Sequence, residues 1–212
     1  MKRSIIALLL ASTATVAQAN ELNNSEAWYL GGFIGQSNFD VSKSDLDLPA
    51  SANLDDSDTA FKVIAGYEFN EYFAIEGGYA DLGELSFGIS EQYSETNWSY
   101  NVDVNATGEL NGFLVNLVGK LPLNDATHLY AKVGAFSWDA KVTATYSGVE
   151  NHYDQSYTFN SSESESDDGT DVFYGVGIGY KIDNFMLRAE FERMDSDGED
   201  TDVLSIGATY HF

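Results

Sequence analysis

Seven segments between Phe61 and Phe212 place an apolar residue at every second position, and each apolar face holds four or five residues and no charge. A period of two marks strands with two chemically distinct faces. Phe61, Val63, Ala65, Tyr67 and Phe69 alternate with Lys62, Ile64, Gly66 and Glu68. Phe73, Ile75, Gly77 and Tyr79 oppose Ala74, Glu76, Gly78 and Ala80 in the same way. The other segments start at Phe113, Leu129, Val172, Phe185 and Leu204. A first strand from Trp28 to about Phe39 alternates less cleanly, with Trp28, Leu30 and Ile34 assigned to its apolar face. Eight strands result, each long enough for the roughly 9–11 residues that a tilted strand needs to cross hydrocarbon.

The opposite face is informative because basic residues are scarce: the chain has ten Lys and Arg against 34 Asp and Glu. Five of the ten (Lys62, Lys120, Lys132, Lys181 and Arg188) share the polar face with Glu68, Glu76, Glu190 and Glu192, and glycines there make room for long side chains. In a soluble sandwich such a face is the outside; in a membrane barrel it lines the interior. Connection lengths decide between the two. Long connections near 40–58, 88–106 and 147–169, and a shorter acidic one at 195–202, alternate with tight turns at Asn70-Glu71, Leu123 to Thr127 and Asp183-Asn184. Short turns on one rim and longer loops on the other describe an outer-membrane barrel. Tyr67, Phe69, Tyr72, Phe73, Tyr180, Phe185, Tyr210 and Phe212 cluster beside the short turns, as in an interfacial aromatic belt. Hydrocarbon cannot satisfy an unpaired strand edge, so the sheet must close. The expectation is an all-β, eight-stranded antiparallel up-and-down transmembrane β-barrel, its interior about filled by side chains.

The N-terminus reads as an export signal. Lys2 and Arg3 precede an apolar stretch from Ile5 to Ala11, and Ala17-Gln18-Ala19 is a small-x-small cleavage site. Residues 1–19 are therefore expected to be a signal peptide and 20–212 the barrel domain. A net charge of −24 opposes nucleic-acid binding, and zero cysteines exclude disulfides, thiolate metal sites and a lipidated N-terminal cysteine. The four outer connections, with the last long one taken to residue 171, carry 21 of the 34 acidic residues. Facing anionic lipopolysaccharide, such a rim calls for divalent cations or high salt to relieve repulsion. Asp195-Ser196-Asp197-Gly198-Glu199-Asp200 resembles a calcium loop superficially but lacks the distant bidentate Glu, so an acidic hairpin tip is expected. The run from Ser161 to Gly169 reads as a solvated, mobile loop.

The chain resembles the OmpA-type eight-stranded outer-membrane β-barrel family, with OmpX-like and opacity-type porin-family relatives. The resemblance covers Trp28 to Phe212 and is carried by Trp28 to Gly32, Tyr72 to Gly83, Arg188-Ala189-Glu190-Phe191 and Gly207 to Phe212. It implies the outer membrane of a Gram-negative cell, with lipid, lipopolysaccharide and the barrel-insertion machinery as partners. Phe212, in phase with Tyr210, resembles the insertion signal read by that machinery. The family's lumen holds a charge network, and Glu76, Arg188 and Glu190 fall on matching positions. Where that pattern has a further lysine and acid, this chain has Val118 and Gly179, with Lys120 and Lys181 two residues away on the same face. The resemblance is to the barrel domain alone, with no wall-binding domain expected after Phe212.

No catalytic constellation, metal site or cofactor site emerges. Nucleophilic catalysis needs a base, and the three histidines are expected to lie apart: His128 by a short turn, His152 in a long loop and His211 next to the terminus. A monomeric, non-enzymatic barrel with a structural or surface-interaction role leads. A narrow diffusion pore, a lipid-modifying barrel enzyme and a soluble lipocalin-like binder with exchanged faces follow. The first and last separate on a gel: an unheated sample in mild SDS is expected to migrate differently from a boiled one. Identical mobility, with release by osmotic shock, would point to the soluble binder.

Overall fold

The computed structural model describes residues 28–44, 49, 52–96, 98–153, 155–196 and 199–212. The predicted signal peptide lies outside the described residues. The strands are β1 (Trp28–Phe39), β2 (Asn53–Asp55), β3 (Ser57–Glu68), β4 (Phe73–Glu95), β5 (Trp98–Pro122), β6 (Thr127–His152), β7 (Gln155–Ile182), β8 (Phe185–Ser196) and β9 (Glu199–His211). All pairings are antiparallel between neighbours in the chain, except that β1 pairs with both β3 and β9, and the short β2 lies along the edge of β4. Pairing of β1 with β9, from Tyr29 opposite His211 to Phe39 opposite Thr201, closes eight strands into a ring. This is the expected eight-stranded barrel, with β2 as an addition outside it.

The two faces are inverted relative to a soluble protein. Phe113 is 67% exposed and Ile206 65%, whereas Glu76 and Glu190 are each 1% exposed. The lipocalin-like alternative requires the opposite exposures and is overturned. On β1, Trp28, Leu30 and Ile34 face outward as assigned, while Tyr29 and Phe33 are buried inside. Short turns close one rim. Asn70 Oδ1 accepts from the amides of Tyr72 and Phe73 at 2.8 and 2.9 Å, and Asn124 Oδ1 accepts from Ala126 and Thr127 at 3.0 and 2.9 Å. In both, the asparagine side chain satisfies backbone donors that no strand partner can reach. Trp28, Tyr67 and Phe69 pack edge-on at this rim, as do Phe185, Tyr210 and Phe212.

The opposite rim corrects the sequence reading. The described residues of the stretches 88–106 and 147–169 are almost all in extensions of the strands rather than in loops. β4 and β5 stay paired up to Glu95 opposite Trp98, and β6 and β7 up to His152 opposite Gln155. The run Ser161–Gly169 is strand, opposite Tyr146–Trp138 of β6. Four strands thus project beyond β8, which ends at Ser196. Register places Phe87, Ala106 and Ala144 on the side that continues the barrel interior, and Ser86, Thr107 and Thr143 on the side that continues the exterior. The projection is two-faced, and its serines and threonines are strand-compatible residues on a wet face.

One irregularity brings β4 into this arrangement. Its register against β5 shifts between Asp81 and Glu84, where Gly83 has a φ of 78°. Below this bulge the even-numbered residues of β4 point inward; above it Leu85, Phe87 and Ile89 do. A Cβ at Gly83 would run into the side chain of Asp58, which also accepts from the Glu84 amide at 2.8 Å. Gly83→Val is expected to cost roughly 1–2 kcal/mol from the left-handed backbone alone, read as a lower denaturant midpoint in detergent.

Candidate functional site

The charged residues on the inward face meet in one cluster. β8 supplies Arg188, Glu190 and Glu192 at successive inward positions, and β7 sets a glycine directly beside each: Gly179, Gly177 and Gly175. Long side chains therefore have lateral room where they are most crowded. Lys62 of β3 and Lys132 of β6 both reach Glu190 Oε2 at 2.6 Å. Both also pair with Glu192, Lys132 Nζ at 2.7 Å from Oε1 and Lys62 with the other oxygen. Arg188 Nη1 lies 2.5 Å from Glu76 Oε1 on β4, and Nη2 lies 2.6 Å from Glu190 Oε1. Three cations thus face three carboxylates, and the cluster is neutral as a whole.

Neutral groups complete it. Tyr29 and Asn116 donate to the two oxygens of Glu76 at 2.9 and 3.1 Å. Tyr130 Oη donates to Glu190 at 2.8 Å and accepts from Arg188 Nε at 3.1 Å. The Arg188 guanidinium stacks 4.6 Å over the Tyr130 ring, and Lys62 Nζ lies 4.7 Å over Phe33. Buried charge is tolerated only when paired and hydrogen-bonded, and six strands contribute to meeting that demand here. Sequence reasoning missed Tyr29, Asn116 and Tyr130. Their signal was phase: each is a hydrogen-bonding residue on the same alternating face as the charges.

Not every assigned residue joins this cluster. Glu68 and Lys120 form a separate pair at 2.7 Å nearer the short-turn rim. Lys181, placed in the network by its phase, is exposed and is in none of the ion pairs found among the described residues. It is the penultimate residue of β7, where the interior already opens to solvent at the rim. His128 and His211, expected apart, instead line one small cavity with Glu68, Lys120 and Thr209, because β9 and β6 bring the two chain regions to the same end of the barrel. His152 is at the tip of the β6–β7 hairpin, far along the chain from both. Tyr210 and Phe212 are exposed, with ring centroids 5.1 Å apart. The stretch 195–200 forms a hairpin in which Asp195 is opposite Asp200 and Ser196 opposite Glu199; residues 197 and 198 lie outside the described residues.

Above the cluster, on the side of the projecting strands, the interior turns apolar. Phe136, Phe173 and Met194 are 0% exposed, and Leu82, Leu110 and Trp138 pack with them. Phe136 and Phe173 share the alternating phase of the charged residues on β6 and β7, and that phase was their signal.

The chain matches the family model of the outer membrane protein beta-barrel domain over residues 5–212. It belongs to that family. Outer membrane protein A of Klebsiella aerogenes is 26% identical over 226 residues, covering 100% of this chain and 56% of the relative. The Salmonella typhi protein of the same name is 28% identical with the same coverage. The chain spans about half the length of the curated relatives it matches. Among solved structures, the crystal structure of Ail, the attachment invasion locus protein of Yersinia pestis, in complex with the heparin analogue sucrose octasulfate, aligns at 18% identity with a TM-score of 0.47, over 88% of this chain and 99% of that one. The outer-membrane barrel resides in the cell outer membrane, with lipid and lipopolysaccharide as its surroundings.

Arg188 holds two carboxylates, so Arg188→Ala is expected to destabilise the barrel by about 3–5 kcal/mol, the usual cost of orphaning a buried charge. Denaturant unfolding in detergent measures it, and adding Glu76→Gln should reduce the loss. Simple additivity of the two losses would show that the pair does not couple.

Proposed function

We infer that this outer-membrane barrel is a non-enzymatic, non-conducting body whose working surface is the sheet projecting from its far rim. The filled interior carries this reading. Two interior cavities, one on each side of the ionic cluster, measure about 10 Å³ each. That is at the lower limit for holding a single water. The apolar layer of Phe136, Phe173 and Met194 lies across the same axis. A solute path would need both layers to separate, and separating the first breaks ion pairs in a poorly solvated space.

With the short turns facing the periplasm, the β4–β7 projection stands on the cell surface and both ends of the barrel chain lie inside the envelope. Residues 1–19 then serve as the export signal, and Tyr210 with Phe212 as the segment presented to the barrel-insertion machinery. The acidic outer rim sits against lipopolysaccharide, where divalent cations bridge like charges. Lipid-modifying chemistry finds no support in His128 and His211, because the cavity that both line is too small to admit a lipid group.

Planar-bilayer recordings test the closed lumen. Silence, or rare small openings, is the expected result. Sustained conductance of the size seen for large trimeric porins would overturn it.

A further inference from the structure

Near the tip of the projection one carboxylate is bordered by aromatic rings. Glu150 of β6 is directly opposite Tyr100 of β5 on one side and Tyr157 of β7 on the other. Side chains so placed share a face, with Cβ atoms about 5 Å apart. Trp98, two residues from Tyr100, reaches diagonally and donates from Nε1 to Glu150 Oε1 at 2.9 Å. Gly148, two residues before Glu150, is opposite Phe159. A Cβ on this glycine would lie 2.5 Å from Phe159 Cζ, so the ring lies over the glycine, next to the acid. Four rings from the two flanking strands thus border Glu150.

Neither core packing nor the membrane accounts for this group. Trp98 is 38% exposed and Tyr157 58%, and Glu150 is exposed with them. An interfacial belt sits at headgroup depth, whereas Glu150 stands roughly 45 Å of strand beyond Phe136, at about 3.3 Å per residue.

The chemistry left for a ligand is narrow. The Trp98 N–H is taken by Glu150, the Tyr157 hydroxyl by Gln155 at 2.6 Å, and that of Tyr93, stacked on Tyr100, by Glu95 at 2.6 Å. A sugar needs donors as well as acceptors, and these donors are spent. Neither Glu95 nor Glu150 is in any ion pair found among the described residues. Ring faces and uncompensated negative charge remain, and both attract a cation. A metal ion such as calcium requires a shell of oxygens, which one carboxylate among rings does not supply. A primary ammonium brings three donors that need acceptors. A trimethylammonium has no donors, and ring faces satisfy it.

We propose that the Glu150 site binds a trimethylammonium group, its methyls against Trp98, Tyr100 and Tyr157 and its charge beside the carboxylate. A choline-type solute and the headgroup of a choline lipid share this chemistry. The proposal deepens the reading of the projection as the working surface and rests on it.

The test uses the full barrel folded in a maltoside detergent, which carries no ammonium group. Choline chloride replaces sodium chloride at constant ionic strength. Tryptophan emission should change saturably, with a midpoint on the order of 1–10 mM, as a few exposed ring contacts imply. Dimethylbutanol, the uncharged analogue with carbon in place of nitrogen, should bind about tenfold more weakly. The W98F barrel should lose the signal, because Trp28 lies at the short-turn rim and Trp138 in the apolar layer. E150Q should raise the midpoint about fivefold, with unheated gel mobility unchanged in both variants. Glycerophosphocholine, the soluble form of the lipid headgroup, identifies the source: a midpoint below that of choline assigns a lipid surface and one above it a solute, and either sustains the site. Absence of saturation would overturn the proposal. So would an equal response to dimethylbutanol, which marks a plain apolar patch, or a signal that survives W98F. A conducting lumen would leave the titration untouched, and a failed titration would leave silent recordings untouched.

Discussion

A strand that crosses hydrocarbon must be hydrogen-bonded on both sides, and everything else in this molecule follows from how that is achieved. The pairing of β1 with β9 joins the two ends of the meander and leaves no edge within the membrane. Closure at eight strands sets the bore, and a bore of that size is one that side chains fill. Once the interior is packed, any charge inside it must find a partner there. The ionic cluster is thus a consequence of strand number as well as of residue type.

The division of labour between β7 and β8 shows how the filling is managed. β8 contributes three charged side chains in succession, while the adjacent inward positions of β7 are glycines in register with them. Neither strand makes sense alone: β7 would leave a void and β8 would be overcrowded. Tyr130 bridges the arginine and Glu190, and Tyr29 donates to Glu76. A purely apolar filling would be about as stable, but charges at fixed heights on separate strands also hold those strands at one register. Above this, Phe136 and Phe173 continue the filling as an apolar layer.

Much of this was legible in the residues because the membrane imposes a simple rule. Uncharged alternate positions such as Phe113, Val115 and Leu117 announce a lipid-facing strand, and Arg188 with Glu190 announces the opposite side. The outer stretches were harder. Ser161 to Gly169 looks disordered by composition, since nothing apolar lies within it. Its order comes from β6, whose Tyr146 to Trp138 it pairs with, and that partnership is invisible to a local reading. His128 and His211 look separate, one by a short turn and the other next to the terminus 83 positions on, yet barrel closure brings β9 round to the same end. Lys181 failed for a different reason: phase tells which way a side chain points but not where along the axis the interior ends.

The bulge at Gly83 is the register shift recorded along the ladder from β4 to β5, and none interrupts the ladder from β6 to β7. Outside the membrane the paired strands therefore behave like a ruled scale with divisions two residues wide. Hairpins of this kind keep their two faces when both arms change length by even steps, or when an odd step on one arm is absorbed by a bulge such as that at Gly83. An odd step with no bulge to absorb it would carry Leu85, Phe87 and Ile89 to the face that continues the barrel exterior. Length beyond the barrel rim is free to drift, then, but parity is not.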